Sequence, residues 1–433
     1  MGAEAVTLAV IGGGWAGLAA AVRAIEAGHR VTLYEMAPHW GGRARSVDVE
    51  GLALDNGQHI LIGAYTRTLA LMATVATVGA DAVGGLHRQP LELRYPDGRG
   101  LRMPSGPAWL MFAAAVATCV GWRWRDRLAL LRASAAWALR GFSCPPGMTV
   151  AALCQKLPPA VRQMLIDPLC VAALNTPAQD ASAAVFLRVL RDALFSGRGS
   201  SDLLLPRRPL GALLPEPAVA WLQANGAALR PGVRVNALAR SGQGWLVDGE
   251  PFDTVLLACS AAEAARLAQP HAPSWANAAR AIGYEPIVTV YLRCAGAHLP
   301  CPMTALVEAP DAPAQFAFDH GALGGTAGVF AFVVSGARAW VDRGLDITGQ
   351  AVLQQALQAF APATWPTPPT VLRVLAEKRA TFRCTPGLQR PAAALAPGLV
   401  AAGDYIAGPY PATLEGAVRS AESALQLLAS AVR

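Results

Sequence analysis

Lysine is nearly missing from this chain. Of 36 basic residues only Lys156 and Lys378 are lysine, and the rest are arginines dispersed along 433 residues. That dispersal argues against the clustered cations of a nucleic-acid footprint, and the net charge of +7 leaves a mild attraction to anionic phosphates or lipid headgroups. Charge of either sign is scarce at 15%, against 53% hydrophobic residues and a mean hydropathy of +0.34. Such a composition excludes disorder and fits a large internal apolar pocket or a membrane-facing surface. The eight cysteines (119, 144, 154, 170, 259, 294, 301 and 384) form no CxxC and no Cys/His pairing at ligand spacing. They read as reduced thiols of a cytoplasmic protein, with no metal and no disulfide expected. No signal-peptide pattern precedes the first strand.

A long hydrophobic run is also missing. The uncharged stretch "PAWLMFAAAVATCV" (107–120) would span about 21 Å as a helix, short of a hydrocarbon core of about 30 Å. The "GWRWRDR" that follows (121–127) alternates Trp and Arg, as an interfacial anchor does when it sets rings at headgroup depth and cations at phosphates. The two readings are a core helix with a basic end and a peripheral contact with the inner face of the cell membrane.

The length predicts two domains or one large composite fold. "TLAVIGG", an Ala-rich helix from Trp15 to Ala27 and "GHRVTLYE" make a βαβ unit with a parallel sheet, hence an α/β fold of Rossmann type. Residues 68–198 read as mostly helical, broken by Pro/Gly clusters at 104–107, 145–147 and 158–159. Short strands are expected around 226–260, with further strands at 284–293 and 327–335 and a polar helix near 346–361. A strand, a loop and a long helix close the chain. The predicted organisation is a composite nucleotide-binding domain from 1–66, 205–275 and 385–433, interleaved with an α+β substrate domain from 67–204 and 276–384.

"GGGWAG" places Gly12, Gly14 and Gly17 in GxGxxG spacing, with Trp15 and Ala16 opening the helix. The first glycine permits the tight turn, the second lets backbone approach a pyrophosphate, and the third lets helix and strand pack closely. Glu35, eighteen residues after Gly17 at the end of the next strand, is placed to accept hydrogen bonds from ribose hydroxyls and would repel a 2′-phosphate. "GGRARS" then puts Gly42, Arg43 and Arg45 where a second anionic segment would lie. An NAD enzyme does not need that turn, whereas a longer dinucleotide carrying a flavin does.

These residues resemble the Gly-Gly-Arg segment of the flavoprotein superfamily of amine oxidases and carotenoid desaturases, which implies FAD. "LDNGQHILIGAY" (54–65) resembles the phytoene desaturase segment that passes near the flavin ring. Gly57 there is a close-approach glycine, and His59, tuned by Asp55, is the candidate general acid; a structural histidine is the alternative. In "AGDYIAGPYPATLEGAV", Gly403 and Asp404 match the superfamily's acidic contact to the ribityl or phosphate region. Leu414 and Glu415 open a helix whose amides point at the flavin in relatives. Val235 matches the strand whose backbone contacts adenine. Lys378, in "AEKRATF", reads as a solvated charge rather than the flavin-side lysine of amine oxidases.

Over nearly the whole chain the sequence resembles the squalene-associated FAD-dependent desaturases, or hydroxysqualene dehydroxylases, of bacterial squalene and hopanoid synthesis. "DPLCVAALNTPAQDASAAVF" (167–186) and "SDLLLPRRPLGALLPEPAVAWL" (201–222) narrow the resemblance to that subfamily. It implies hydride transfer from reduced FAD to an allylic carbon of a long isoprenoid with loss of water, supplied by upstream enzymes of the squalene pathway. A polyene desaturase running hydride the other way, an amine oxidase and a non-enzymatic prenyl carrier are the alternatives.

Overall fold

A computed structural model of the chain describes residues 5–76 and 85–431. The N-terminal motif folds into a strand, β1 (Thr7–Ile11), a helix, α1 (Trp15–Glu26), and a second strand, β2 (Arg30–Glu35). The two strands pair in parallel with Val10 beside Leu33, and Thr254–Leu257 pairs in parallel along the other edge of β1. The full sheet runs Ala228–Pro231, β2, β1, Thr254–Leu257, Leu399–Ala401, Ala394–Ala396, and only the last strand is antiparallel to its neighbour. Its strands therefore come from three stretches of sequence, with long excursions between them.

Residue alternation sets the layers. Leu8 and Val10 join Leu33, Leu256 and Val400 in one core, beneath α1 and the terminal helix Leu414–Ala431. Ala9 and Ile11 face the opposite core with Val255 and Leu257. On α1, Ala19, Ala20, Ala21 and Ala24 are fully buried, so the helix lies close to its neighbours, while Leu18 and Val22 fill the remaining volume. Each such large side chain contributes about 1.5–3 kcal/mol on burial.

The second sheet is antiparallel: Met303–Ala305, Phe316–Asp319, Val329–Val334, Tyr284–Arg293 and Thr370–Phe382, in that order. One face, with Val288, Val290, Phe330 and Phe332, packs beneath the helix Leu345–Ala359 through Val352 and Ala356. The other face carries Phe316, Phe318 and Val333. The expected helix near 346–361 is present, though one side of it is buried rather than polar throughout.

Two expectations are corrected. Residues 86–102, read as part of a helical region, form the strands Leu86–Gln89, Glu92–Arg94 and Gly100–Arg102; Leu86–Gln89 pairs with the distant Leu203–Pro206, a contact no local pattern reveals. Thr370–Phe382, the longest strand, was not anticipated as one. It lies at the sheet edge and carries Arg373, Glu377, Lys378 and Arg379, charges that suit an edge strand but mask its period. The part of the predicted helical region at 77–84 lies outside the described residues.

Candidate active site

A cleft of about 770 Å³ opens between the parallel sheet and the aromatic face of the antiparallel one. Its floor at one end is the turn after β1. Gly12 has φ +114°, and a Cβ there would fall 2.7 Å from the backbone of Ala258 and Cys259. At Gly17 a Cβ would lie 1.8 Å from the Gly12 carbonyl oxygen, so this glycine is demanded by helix-to-turn packing. Gly14 differs: the one atom within 4 Å of its would-be Cβ is Gly42 Cα, at 3.9 Å. Among the described residues nothing else occupies that space. Gly42, with φ +63°, meets Gly14 from the opposite side, and the Gly41 N–H donates to the Gly13 carbonyl at 2.9 Å. The two glycine turns thus form one cradle bare of side chains.

Glu35 closes this end. Its carboxylate accepts from the Gly13 N–H at 2.7 Å and the Ala37 N–H at 2.8 Å, one on each oxygen, leaving further lone pairs for hydroxyl donors. Trp15 is buried and donates from Nε1 to the Ala44 carbonyl at 2.9 Å, pinning the glycine turn, and Ala16 lines the cleft. Val235 also lines it, from a loop rather than the expected strand, with its carbonyl held by Arg266 at 2.7 Å.

Arg43 draws three remote segments together. Its guanidinium donates to the Arg379 and Ala380 carbonyls, both at 2.9 Å, and to Asp404 Oδ1 at 2.6 Å. Asp404 is nearly buried, and Gly403 before it has φ +154° and donates its N–H to Ser420 Oγ at 2.8 Å. Arg45 is not among the residues lining the cleft.

His59 also lines the cleft. Its Nδ1 sits 2.7 Å from the Gly57 carbonyl, which can only accept, so Nδ1 carries the proton and Nε2 keeps its lone pair. Burial, then the nearby Arg43 charge, holds its pKa below the usual histidine range, against the Gly57 bond that raises it. The ring is neutral at pH 7.

The structure does not bring Asp55 to His59. The turn at Gly57 (φ +121°) separates them, and the Asp55 carboxylate accepts instead from the Leu210 N–H at 2.8 Å and the Ser46 hydroxyl at 3.4 Å, outside the cleft lining. Burial pushes it up to about 7, against those two bonds. Glu415 also turns away: it accepts from the N–H groups of Arg67 and Thr68, the Thr68 hydroxyl and Arg419, and so caps the helix Thr66–Val75. Leu414 lines the cleft, and Lys378 is exposed and does not.

Sequence reasoning missed Tyr405, Tyr284 and Asn175, which all line the cleft. The Tyr405 hydroxyl is buried and has no hydrogen-bond partner among the described residues, and burial raises its pKa well above the usual phenol range. Its place directly after Asp404 was the available signal. The other end of the cleft is apolar, walled by Ile60, Val171, Ile287, Phe316, Phe318 and Val333.

A flavin dinucleotide fits these residues on two observations. The cradle at Gly14 and Gly42 is a space that a Cβ would fill and no protein atom uses. The buried Tyr405 hydroxyl beside Asp404 lacks, among the described residues, the partner that a ligand oxygen would provide. Residues 15–428 match the family described as flavin containing amine oxidoreductase. The chain belongs to that family. Within the family, it is 31% identical over 464 residues to a hydroxysqualene dehydroxylase of Rhodopseudomonas palustris, covering 99% of each chain. It is 29% identical to one of Sinorhizobium fredii, over 97% of this chain and 98% of that one. A probable zeta-carotene desaturase of Synechococcus elongatus is 39% identical, but over only 16% of this chain and 14% of its own. Among solved structures, an oxidoreductase of Methanosarcina mazei superposes with a TM-score of 0.74 over 97% of this chain and 100% of its own, at 16% identity. Cyclohexylamine oxidase of Brevibacterium oxydans does so with 0.70 over 99% of both, also at 16%; these two establish the shared fold. As a member of this family the protein is an FAD-dependent oxidoreductase.

Proposed function

We propose that this flavoenzyme removes the hydroxyl group of hydroxysqualene reductively, yielding squalene and water. The observation that carries this reading is the full-length similarity to hydroxysqualene dehydroxylases, set against carotene desaturase matches confined to a short stretch. The parallel sheet is taken as the FAD-binding body, from residues 1–66, 205–275 and 385–433. The antiparallel sheet and helical layer, from 67–204 and 276–384, form the substrate body. An upstream enzyme of the squalene pathway supplies the isoprenoid alcohol.

Gly12, Gly14 and Gly42 offer backbone to the pyrophosphate, and Glu35 takes the ribose hydroxyls. Arg43, Asp404 and Tyr405 would hold the part of the dinucleotide beyond the pyrophosphate. FAD, when bound in its reduced form, supplies a hydride. The chain's own task is to make the hydroxyl leave. His59 Nε2 accepts a hydrogen bond from the substrate hydroxyl while the ring is neutral and orients it; once protonated, the imidazolium is a strong acid because burial disfavours its charge. A proton taken up from solvent at His59 Nε2 would depart with the substrate hydroxyl as water, so one proton and the one hydride that reduced FAD would supply are consumed for each water released. The walls at Ile60, Phe316, Phe318 and Val333 exclude water that would otherwise trap an allylic cation.

The decisive experiment is anaerobic. Flavin is reduced stoichiometrically, hydroxysqualene is added, and flavin absorbance and extracted lipid are followed together. Reoxidation with squalene appearing is the expected result. Flavin that stays reduced overturns the reading in favour of an oxidative polyene desaturase.

A further inference from the structure

The uncharged stretch found in the sequence has an unusual setting. It forms the helix Ala108–Thr118, which has no charged residue on any face and yet lies at the surface. Ala115 and Val116 turn inward to the same core as Phe316 and Val333 of the cleft, whereas Trp109 is 56% exposed and Leu110 45%. An all-round apolar helix is ordinarily covered. The next helix, Trp124–Leu139, repeats the arrangement: Leu130 and Trp137 are buried, while Arg125, Arg132 and Leu139, spaced by heptads, are exposed along another stripe. Leu139 is 90% exposed and Trp124 67%, with the Arg125 guanidinium 5.5 Å from the Trp124 ring centroid.

The surrounding charge is one-sided. Residues 107–142 contain five arginines and one acid, Asp126. Arg127 is spent on the carbonyls of Ala117 and Cys119, tying the two helices together, and Asp126 accepts from the Arg123 N–H. The side chains of Arg123, Arg125, Arg132 and Arg140 are exposed and, among the described residues, none has an ion-pair partner. A second copy of this chain would set these cations against their equals. Anionic headgroups would neutralise them while the rings and Leu139 enter the acyl boundary.

We propose that the paired helices 108–118 and 124–139 are a docking face for an anionic phospholipid bilayer. No helix among the described residues is long and apolar enough to cross a membrane, so the attachment is peripheral. The inference rests on the proposed reaction only for its purpose, since a long isoprenoid alcohol is delivered from lipid.

The test is co-sedimentation of the full FAD-loaded protein with sucrose-loaded vesicles, either of phosphatidylcholine alone or mixed equally with phosphatidylglycerol. Binding is expected to the mixed vesicles and to weaken with salt. The exposed pair R125E/R132E should lower the partition coefficient at least about twentyfold, at roughly fivefold per lost arginine, and W109A/W124A about tenfold. Native protein that stays in the supernatant with the mixed vesicles, or both double variants binding as native does, overturns the proposal. So does a dimer in sedimentation velocity that W109A/W124A dissociates, which would make this face a contact between copies. Turnover of detergent-dispersed hydroxysqualene is measured in parallel, so vesicle binding without turnover refutes only the reaction, and turnover without binding only the docking face.

Discussion

At one end of the cleft Gly12, Gly14 and Glu35 arise from a single stretch, while the wall at the other end takes Val171, Ile287, Phe316, Phe318 and Val333 from residues 171 to 333 of the chain. The first end works through backbone, and backbone chemistry needs glycine at fixed positions. The second works through shape and dryness, which many combinations of apolar residues satisfy. The glycine end is therefore constrained residue by residue, and the apolar end only in sum.

The sharpest way to test that contrast lies within the glycine turn. Gly17→Val should prevent folding, because its Cβ would collide with the Gly12 carbonyl; soluble expression with a native circular-dichroism spectrum would contradict the packing. Gly14→Val should fold, since its φ of −76° suits any residue and its Cβ enters open space, yet should purify without yellow colour. A yellow Gly14→Val protein would remove the pyrophosphate from this cradle.

His59 lines the same cleft. His59→Ala should keep FAD and lower the single-turnover rate by about 10²–10⁴-fold. If His59 delivers the proton, the native rate rises as pH falls below the ordinary histidine value of 6.5, because burial delays protonation. A rate independent of pH from 5 to 8, roughly the window in which histidine titrates, would return His59 to a structural role.

Two smaller effects refine the picture. Tyr405→Phe removes one oxygen from a buried ring and should weaken FAD binding by about 2–12-fold, the worth of a single hydrogen bond, with the melting temperature of the flavin-free protein unchanged. Asp55→Asn probes the region just outside the cleft. The Asp55 pKa rises from 3.8 to about 7 on folding, so its contribution to stability is complete below 3.8 and is lost as pH climbs through 7. The native melting temperature should fall between pH 5 and pH 8 by more than that of Asp55→Asn, and parallel curves would refute the assignment.

The same contrast explains what could be read in advance. The turn after β1, the acid ending β2 and the Gly-Gly-Arg segment are local signals, and the strands at 284–293 and 327–335 showed as apolar runs. Asp55 and Glu415 misled because an acid beside a glycine-rich motif looks like part of it; only the packed chain shows one turned to Leu210 and the other to Thr68. Tyr405 was hidden because an unpartnered hydroxyl is a property of surroundings, not of a residue.

The sequence by itself determined the parallel βαβ unit, its glycine cradle and the Glu35 carboxylate that closes it, because each depends on φ, on a missing Cβ or on a charge a few residues away. Tertiary structure alone decided that Arg43 bridges to Asp404 across 361 residues, that a charged edge strand supplies two carbonyls to it, and that an uncharged helix stays at the surface with its aromatic side uncovered. Those outcomes depend on which distant surfaces meet, and hydrophobic burial rewards the meeting without encoding its address in any local pattern.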